Sequence, residues 1–335
     1  MKNKSIVVSR SDADWIKHFR NTGEIDFQQV KWGKRKSSLI GKFDNFLGAC
    51  QFIKYLIMHR KMINQYQSII VTGNNVALAT FLLRKLRILK NPKVVWWGFY
   101  LHSKFSINMY KVLRVFFESK HAVYVLFSYF EESLYENVFG KRTSTLILPY
   151  GIWNEEIVIP TEEEDYYFSG GYSNRDYIPL IEAFRDSPYK LVIIASKLNV
   201  ELETIQIPEN VQILRDVDKT TFHKYMDHSC GVIIPLKNNL GASGQMVTLN
   251  AMARGKLIII NDNSIMKEYI IDQDSGYVVQ DIKKDLISLL EKIEKSPVEK
   301  NKIKEKVRQR YIELYSRQPS IDNTKAILKT INRTS

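Results

Sequence analysis

The residues whose types and spacing could do chemistry gather in the stretch "GASGQMVTLNAMARGK", residues 241–256. Gly241, Ala242, Ser243 and Gly244 let a backbone approach a ligand closely. Val247, Leu249 and Met252 then begin a helical pattern, which places Gly244 near a helix N-terminus. Such an end favours anions, because its first N–H groups lack intrahelical acceptors and the peptide dipoles sum to positive charge there. The stretch itself contains no carboxylate. A second turn of this kind follows "YYFSGG", where Gly170 and Gly171 end an apolar run and Arg175 falls in the first turn of the next helical pattern. Glycines, helix N–H groups and a guanidinium together make a diphosphate clamp. The alternative is a surface pair of Arg175 with Asp176 or Glu182.

Short apolar runs must position these turns. The first half offers strands at 5–9, 68–73, 93–99, 122–127 and 145–149, with helical patterns at about 45–64, 75–90, 106–120 and 129–139 between them. The theme restarts with strands at 165–171, 190–196, 211–214, 230–236, 256–262 and 276–279. Helical patterns near 175–186, 219–227, 244–254, 264–271 and 282–295 separate these, and two charged amphipathic helices divided near Pro319 close the chain. Strands alternating with helices indicate an α/β chain with parallel sheets. Pro160 and an acidic run break the rhythm between residues 150 and 165, so two Rossmann-like halves with a cleft between them are expected. Open parallel sheets bind ligands beyond the carboxyl ends of their strands, which is where both glycine turns fall.

Composition narrows the class. With 335 residues, 44% hydrophobic and 25% charged, the chain is globular rather than disordered and is ample for two domains. No apolar run approaches the length of a membrane span, and "MKNKSIVVSRSDADW" lacks a signal-peptide core, so a cytoplasmic setting is expected. Cys50 and Cys230 lie far apart with no cysteine or histidine at ligand spacing; neither a disulfide nor a zinc site is suggested, and both are expected as buried small hydrophobes. Charge is uneven. Residues 1–150 hold 24 Lys and Arg against 9 Asp and Glu, a net of +15, and the remainder holds 49 − 24 = 25 against 36 − 9 = 27, a net of −2. Between Asp44 and Glu118 there is no carboxylate, yet Arg60, Lys61, Arg84, Lys85, Arg87, Lys90, Lys93, Lys104, Lys111 and Arg114 fall there. A surface so depleted of acid suits a polyanion or an anionic membrane, unless it is only a solvated basic face. Residues 106–120 place apolar positions at helical spacing among cations, which suits an ordinary helix packed on a sheet or, alternatively, an in-plane membrane helix. Nucleic acid ranks last, for want of any zinc-finger pattern or aromatic RNA-binding box.

The order strand, "PL", polar loop, small-residue turn, "LNAMARGKLIII" resembles the donor-sugar motif of retaining glycosyltransferases with the GT-B fold, and is most similar to glycosyltransferase family 4. "SGGYSNRDYIPLIEAF" resembles that family's phosphate loop and helix, and "LPYGIW" its domain crossover; together the pieces span roughly residues 146–280. The resemblance implies two Rossmann-like domains facing across a cleft. Residues 1–150 would hold the acceptor, 151–315 the nucleotide sugar, and 316–335 would form a helix crossing back to the first domain. It implies that Arg175 occupies the diphosphate-binding basic position. The usual partner arginine is replaced within Ser169, Gly170 and Gly171, leaving backbone N–H groups or Lys197 to take over. Arg215, Asp216 and Val217 match the segment that meets the base, and Asn239, Leu240, Gly241, Ala242, Ser243, Gly244 and Gln245 match the loop around sugar and phosphates. The family's paired glutamates fall at Ala242 and Asn250; Asn250 can still accept through its carbonyl oxygen, and Ser243 or Gln245 could substitute for the other. His102, at a strand end, matches a histidine that contacts the sugar.

The activity implied is hexosyltransferase-like transfer from a UDP- or GDP-linked sugar, with retention and with no metal or other cofactor. The leaving diphosphate helps deprotonate the attacking hydroxyl while Arg175 and the helix behind Gly244 stabilise its charge. The acceptor implied is a saccharide or a polyprenyl-diphosphate-linked saccharide, used in bacterial surface-polysaccharide assembly at the inner face of the plasma membrane. Ala242 and Asn250 motivate an alternative of another class, a non-catalytic protein that binds sugar nucleotides or glycans.

Overall fold

A computed structural model of the chain describes residues 5–30, 39–98, 108, 111, 122–139, 144–153, 162–171, 173–237 and 243–333. The chain divides into two units, Met1–Pro149 with Ile321–Ser335, and Tyr150–Ser320. Among the described residues each unit holds one six-stranded sheet in which every pairing is parallel.

In the first unit β1 (Ser5–Ser9), β2 (Asp26–Gln29), β3 (Ser68–Thr72), β4 (Lys93–Trp97), β5 (Ala122–Leu126) and β6 (Ser144–Ile147) line up as β2-β1-β3-β4-β5-β6. α1 (Asp14–Asn21), α2 (Leu39–Met58), α3 (Arg60–Ile63), α4 (Asn74–Lys85) and α5 (Tyr129–Phe139) connect them. The inner strands are apolar almost without interruption because both faces of a parallel sheet are covered. Tyr124 packs on Tyr135 and Phe139 with ring centroids 4.8 and 5.8 Å away. β2 was not expected: "DFQQ" is a polar edge strand whose exposed side chains carry no apolar period. The helix expected over 106–120 lies outside the described residues, apart from Asn108 and Lys111. Cys50 is exposed on α2, a correction to its expected burial, whereas Cys230 is half-buried with Sγ 3.1 Å from the Tyr166 carbonyl oxygen. Burial pushes the Cys230 thiol up to about 11. No described helix is long and apolar enough to cross a membrane.

The second unit contains β7 (Tyr167–Gly170), α6 (Tyr177–Phe184), β8 (Leu191–Ala195), β9 (Val211–Arg215), α7 (Lys219–His228) and β10 (Gly231–Ile234). α8 (Gln245–Ala253), β11 (Ile258–Asn261), β12 (Tyr277–Val279), α9 (Ile282–Glu294) and α10 (Pro297–Leu314) follow. Strand order is β12-β11-β10-β7-β8-β9. The helix expected over 264–271 is only a 3₁₀ turn, Met266–Glu268. Asn263 Oδ1 accepts from the N–H groups of Ile265 and Met266, and Ser275 Oγ accepts from Ile271 N–H, so the segment closes into a loop after one turn. The last helix, α11 (Arg317–Arg333), contains Pro319 inside its first turn, where a missing N–H loses no helical bond. From Ile321 onward it belongs to the first unit.

The amino edge of the second sheet is tied by charge. Lys256, fully buried ahead of β11, donates to Glu163 Oε1 at 2.9 Å and to the Ser229 carbonyl oxygen at 2.8 Å, while Lys304 on α10 reaches the same Glu163 oxygen at 2.7 Å. Burial raises the Glu163 carboxyl, but the two ammonium groups outweigh it and hold the net value below the ordinary one; burial lowers Lys256. A carboxyl whose folded pKa lies below its unfolded value adds stability above the unfolded pKa and loses it as pH falls through the folded one. Glu163→Gln should therefore cost about 2–3 kcal/mol at neutral pH, because Lys256 stays charged and buried beside an amide. Urea unfolding from about pH 7 down to pH 3 should show the gap between variant and wild type shrinking.

Candidate functional site

Strand order puts a switch point between β7 and β10. The chain runs outward from β7 to β8 and β9, then returns to add β10, β11 and β12 on the other side. Loops leaving the carboxyl ends of β7 and β10 therefore diverge and leave a crevice.

The loop after β7 is held by a buried cation. Arg175, 3% exposed, donates from Nε to the Gly170 carbonyl oxygen at 2.9 Å and from Nη1 to that of Ser173 at 2.8 Å. A Cβ at Gly171 (φ +112°) would lie 2.7 Å from Nη2, so the tight wrap requires glycine there. Tyr177 donates its hydroxyl to the Gly171 carbonyl oxygen. Backbone bonds then lace this loop to the one after β10: Asp176 N–H to Pro235 O at 3.1 Å, Lys237 N–H to Asn174 O at 3.1 Å, with Arg175 and Leu236 bridged antiparallel. Asn261, at the end of β11, clasps Leu236 from the far side, accepting its N–H and donating to its carbonyl oxygen at 2.9 Å each.

The opening of α8 borders the same crevice. Gly244 is left-handed (φ +88°), and a Cβ there would meet Met266 Sδ at 3.1 Å and Ile234 Cγ2, on β10, at 3.4 Å. Its carbonyl oxygen accepts Thr248 N–H at 2.9 Å, which starts the helix. Gln245, nearly buried, donates from Nε2 to the Tyr269 hydroxyl at 2.9 Å. Ser243 is buried at the threshold of the helix.

A second group lies at the ends of β8 and β9. Arg215 donates to the carbonyl oxygens of Ser196 (3.2 Å) and Asn199 (3.4 Å). Asp216, left-handed at φ +48°, accepts Lys197 N–H on Oδ1 at 3.2 Å. Asp218 caps α7 by accepting Thr221 N–H at 3.0 Å. Between the two groups, Lys237 pairs with Glu201 at 3.1 Å. Asp176, beside them, has its carboxyl pushed up by burial, drawn down by Lys237 and raised by Glu201.

Residues 152–310 match the model of the family Glycosyl transferases group 1. That stretch is a glycosyltransferase domain. No curated protein matches it by sequence. Solved structures do by fold. Sucrose-phosphate synthase from Thermosynechococcus elongatus is 14% identical at TM-score 0.74, covering 99% of this chain and 100% of that one. Anabaena HepE, solved with UDP-glucose, is 11% identical at TM-score 0.69 over 97% and 99%. The lipopolysaccharide outer core galactosyltransferase WaaB in its apo form is 12% identical at 0.70 over 97% and 99%. The fold is GT-B, in an α/β chain with two parallel sheets.

Within this glycosyltransferase domain, the structure gathers Gly170, Gly171, Arg175, Ser243, Gly244 and Gln245 at the β7/β10 switch point. It gathers Lys197, after the neighbouring β8, with Arg215 and Asp216, at the end of β9, on the same edge, and Val217 is half-buried in the following loop. Two expectations change in detail. The Gly171 N–H already donates to Ile194 O at 3.0 Å, so it is not spare for a phosphate. Lys197 projects outward, 82% exposed, with Nζ 3.8 Å from Asp216. Asn250 has both polar ends engaged along α8, Nδ2 donating to Met246 O at 2.7 Å and Oδ1 accepting from Arg254 at 3.2 Å. His102, Asn239, Leu240, Gly241 and Ala242 lie outside the described residues. Lys237, Glu201, Asn261 and Tyr269 were not among the residues expected from sequence. Lys237 directly follows the "PL" of the motif and Asn261 ends an isoleucine run, and those positions were the available signals.

Because the Arg175 guanidinium is the donor to two loop carbonyls, Arg175→Ala should cost about 2–4 kcal/mol of stability. Arg175→Lys should recover only part of that, since an ammonium cannot span both acceptors as a fork does. Urea denaturation of the full chain measures both.

Proposed function

We propose that the chain transfers a hexose from a UDP-linked donor, held at the carboxyl edge of the second sheet, to a saccharide acceptor with retention of configuration. The observation that carries this reading is the buried turn Gly170–Arg175 bonded to the loop after β10, with Gly244 opening α8 beside it. Two loops locked edge to edge beside a helix N-terminus make a rigid anion seat, and a nucleoside diphosphate is the anion such crevices take in open parallel sheets. The complex of HepE with UDP-glucose supports uracil as the base.

In this reading the first turn of α8 takes the diphosphate oxygens. Arg175 acts from behind the turn, fixing its shape and adding positive potential, and Lys237 exchanges Glu201 for phosphate. As the glycosidic bond breaks, charge grows on the departing diphosphate, and groups already aimed at it stabilise the transition state more than the ground state. The scheme uses no metal. The acceptor is a growing surface polysaccharide, carried on a polyprenyl diphosphate at an anionic membrane. WaaB, named for the lipopolysaccharide outer core, supports that setting, as does the basic first half of the chain.

Thermal-shift and calorimetric titration with UDP, GDP and their hexose derivatives tests the donor. UDP and a UDP-hexose should stabilise the wild type, and Ser243→Ala should weaken that binding about tenfold. Release of free hexose from the UDP sugar should persist in EDTA and give the donor's anomeric configuration by NMR. Binding of no uridine nucleotide, or an inverted product, would overturn the proposal.

A further inference from the structure

The amino edge of the first sheet, opposite the edge where strands deliver ligand loops, has an organised surface of its own. α4 ends at Lys85, and the chain turns through Arg87 in a left-handed conformation (φ +58°) before entering β4. This turn is built rather than loose. Asn64, just after α3, accepts Lys90 N–H at 2.8 Å, donates to Ile88 O at 3.3 Å, and receives the Asn91 side chain on its carbonyl oxygen at 2.9 Å. Arg84 adds a bond to Leu89 O at 3.1 Å. α3 and the turn are thereby fixed to one another.

What they present is apolar and cationic together. Met58, Leu82 and Leu86 are 65%, 41% and 60% exposed. Arg60, Lys61, Arg87 and Lys90 are exposed around them, within a stretch that has no carboxylate between Asp44 and Glu118. We propose that this edge is a docking surface for an anionic lipid bilayer. Cations on a fixed scaffold draw in lipid headgroups, and the exposed leucines and methionine enter the acyl boundary, where each lowers its free energy by leaving water. A nucleic acid would use the cations alone and would gain nothing from Leu82 and Leu86. The inference deepens the membrane part of the proposed function and rests on it; donor binding does not depend on it.

Co-sedimentation of the full chain with phosphatidylglycerol–phosphatidylcholine vesicles tests it, with pure phosphatidylcholine vesicles as the comparison. The chain should pellet with the anionic vesicles alone, less so as salt rises. Arg87→Glu with Lys90→Glu should weaken partitioning about twentyfold or more, at roughly fivefold or more per cation. Leu82→Ser with Leu86→Ser should weaken it about tenfold while leaving the salt dependence in place. Lys224→Glu with Lys292→Glu, on exposed helix faces of the second unit, should change nothing. All variants should keep the wild-type melting temperature and UDP shift, which separates failure of docking from failure of the donor reading. Equal loss in the Lys224/Lys292 control, or leucine variants that bind like wild type while duplex DNA displaces the vesicles, would overturn the proposal.

Discussion

A guanidinium cannot shed its charge inside a protein, so a buried arginine must find acceptors or it will not stay buried. Arg175 finds them in two carbonyl groups of its own loop, Gly170 and Ser173. That single requirement propagates. It forces the chain to wrap tightly after β7, which demands glycine at 171, since any side chain would strike the guanidinium. The wrapped loop then offers Asn174 and Asp176 at the right height to bond the strand leaving β10. The carboxyl ends of β7 and β10, which the topology only brings near each other, become one rigid lip.

Rigidity at one edge of a sheet is useful only if the other edge does not shear. In the second unit the amino edge is secured by Lys256 and Lys304 converging on Glu163, with Lys256 also held by Ser229 O. The two edges thus use opposite logic. At the amino edge ionised groups meet one another directly, one carboxylate between two ammonium groups. At the carboxyl edge the buried guanidinium of Arg175 donates to carbonyl oxygens of its own loop.

Much of this was legible in the sequence, because strands buried on both faces read as apolar runs. "SIVVS" is β1 residue for residue, and "YFEESLYENVF" is a helix over the expected span. β2 was invisible for the converse reason, an edge strand of polar residues. The helix expected at 264–271 failed because Asn263 caps and Ser275 closes the segment, interactions that hydrophobic period does not encode. At the site, Gly171 and Gly244 were legible as backbone requirements, since positive φ selects glycine locally. Arg175 was legible as a cation beside the glycine turn but not as a cation bonded to the carbonyls of that turn. The direction of a long side chain is settled by which carbonyls the tertiary fold leaves unpaired, and no local spacing carries that information.

The absence of carboxylates around α8 follows from the same electrostatics. Asn250 lies one turn from Arg254, whose guanidinium already meets Asp227 through Nε and Asn250 through Nη1. A carboxylate at 250 would add a second negative charge to an arginine that has one, and would place that charge on the helix whose N-terminus faces the crevice. The amide meets Arg254 and the Met246 carbonyl without doing so. With Glu201 and Asp216 already lining the edge, and each held by a lysine or a backbone N–H, a neutral α8 keeps the positive end of its dipole available to an anion. The neutral residues are therefore compatible with a phosphate seat on charge grounds, because the negative groups that the edge carries are already engaged elsewhere.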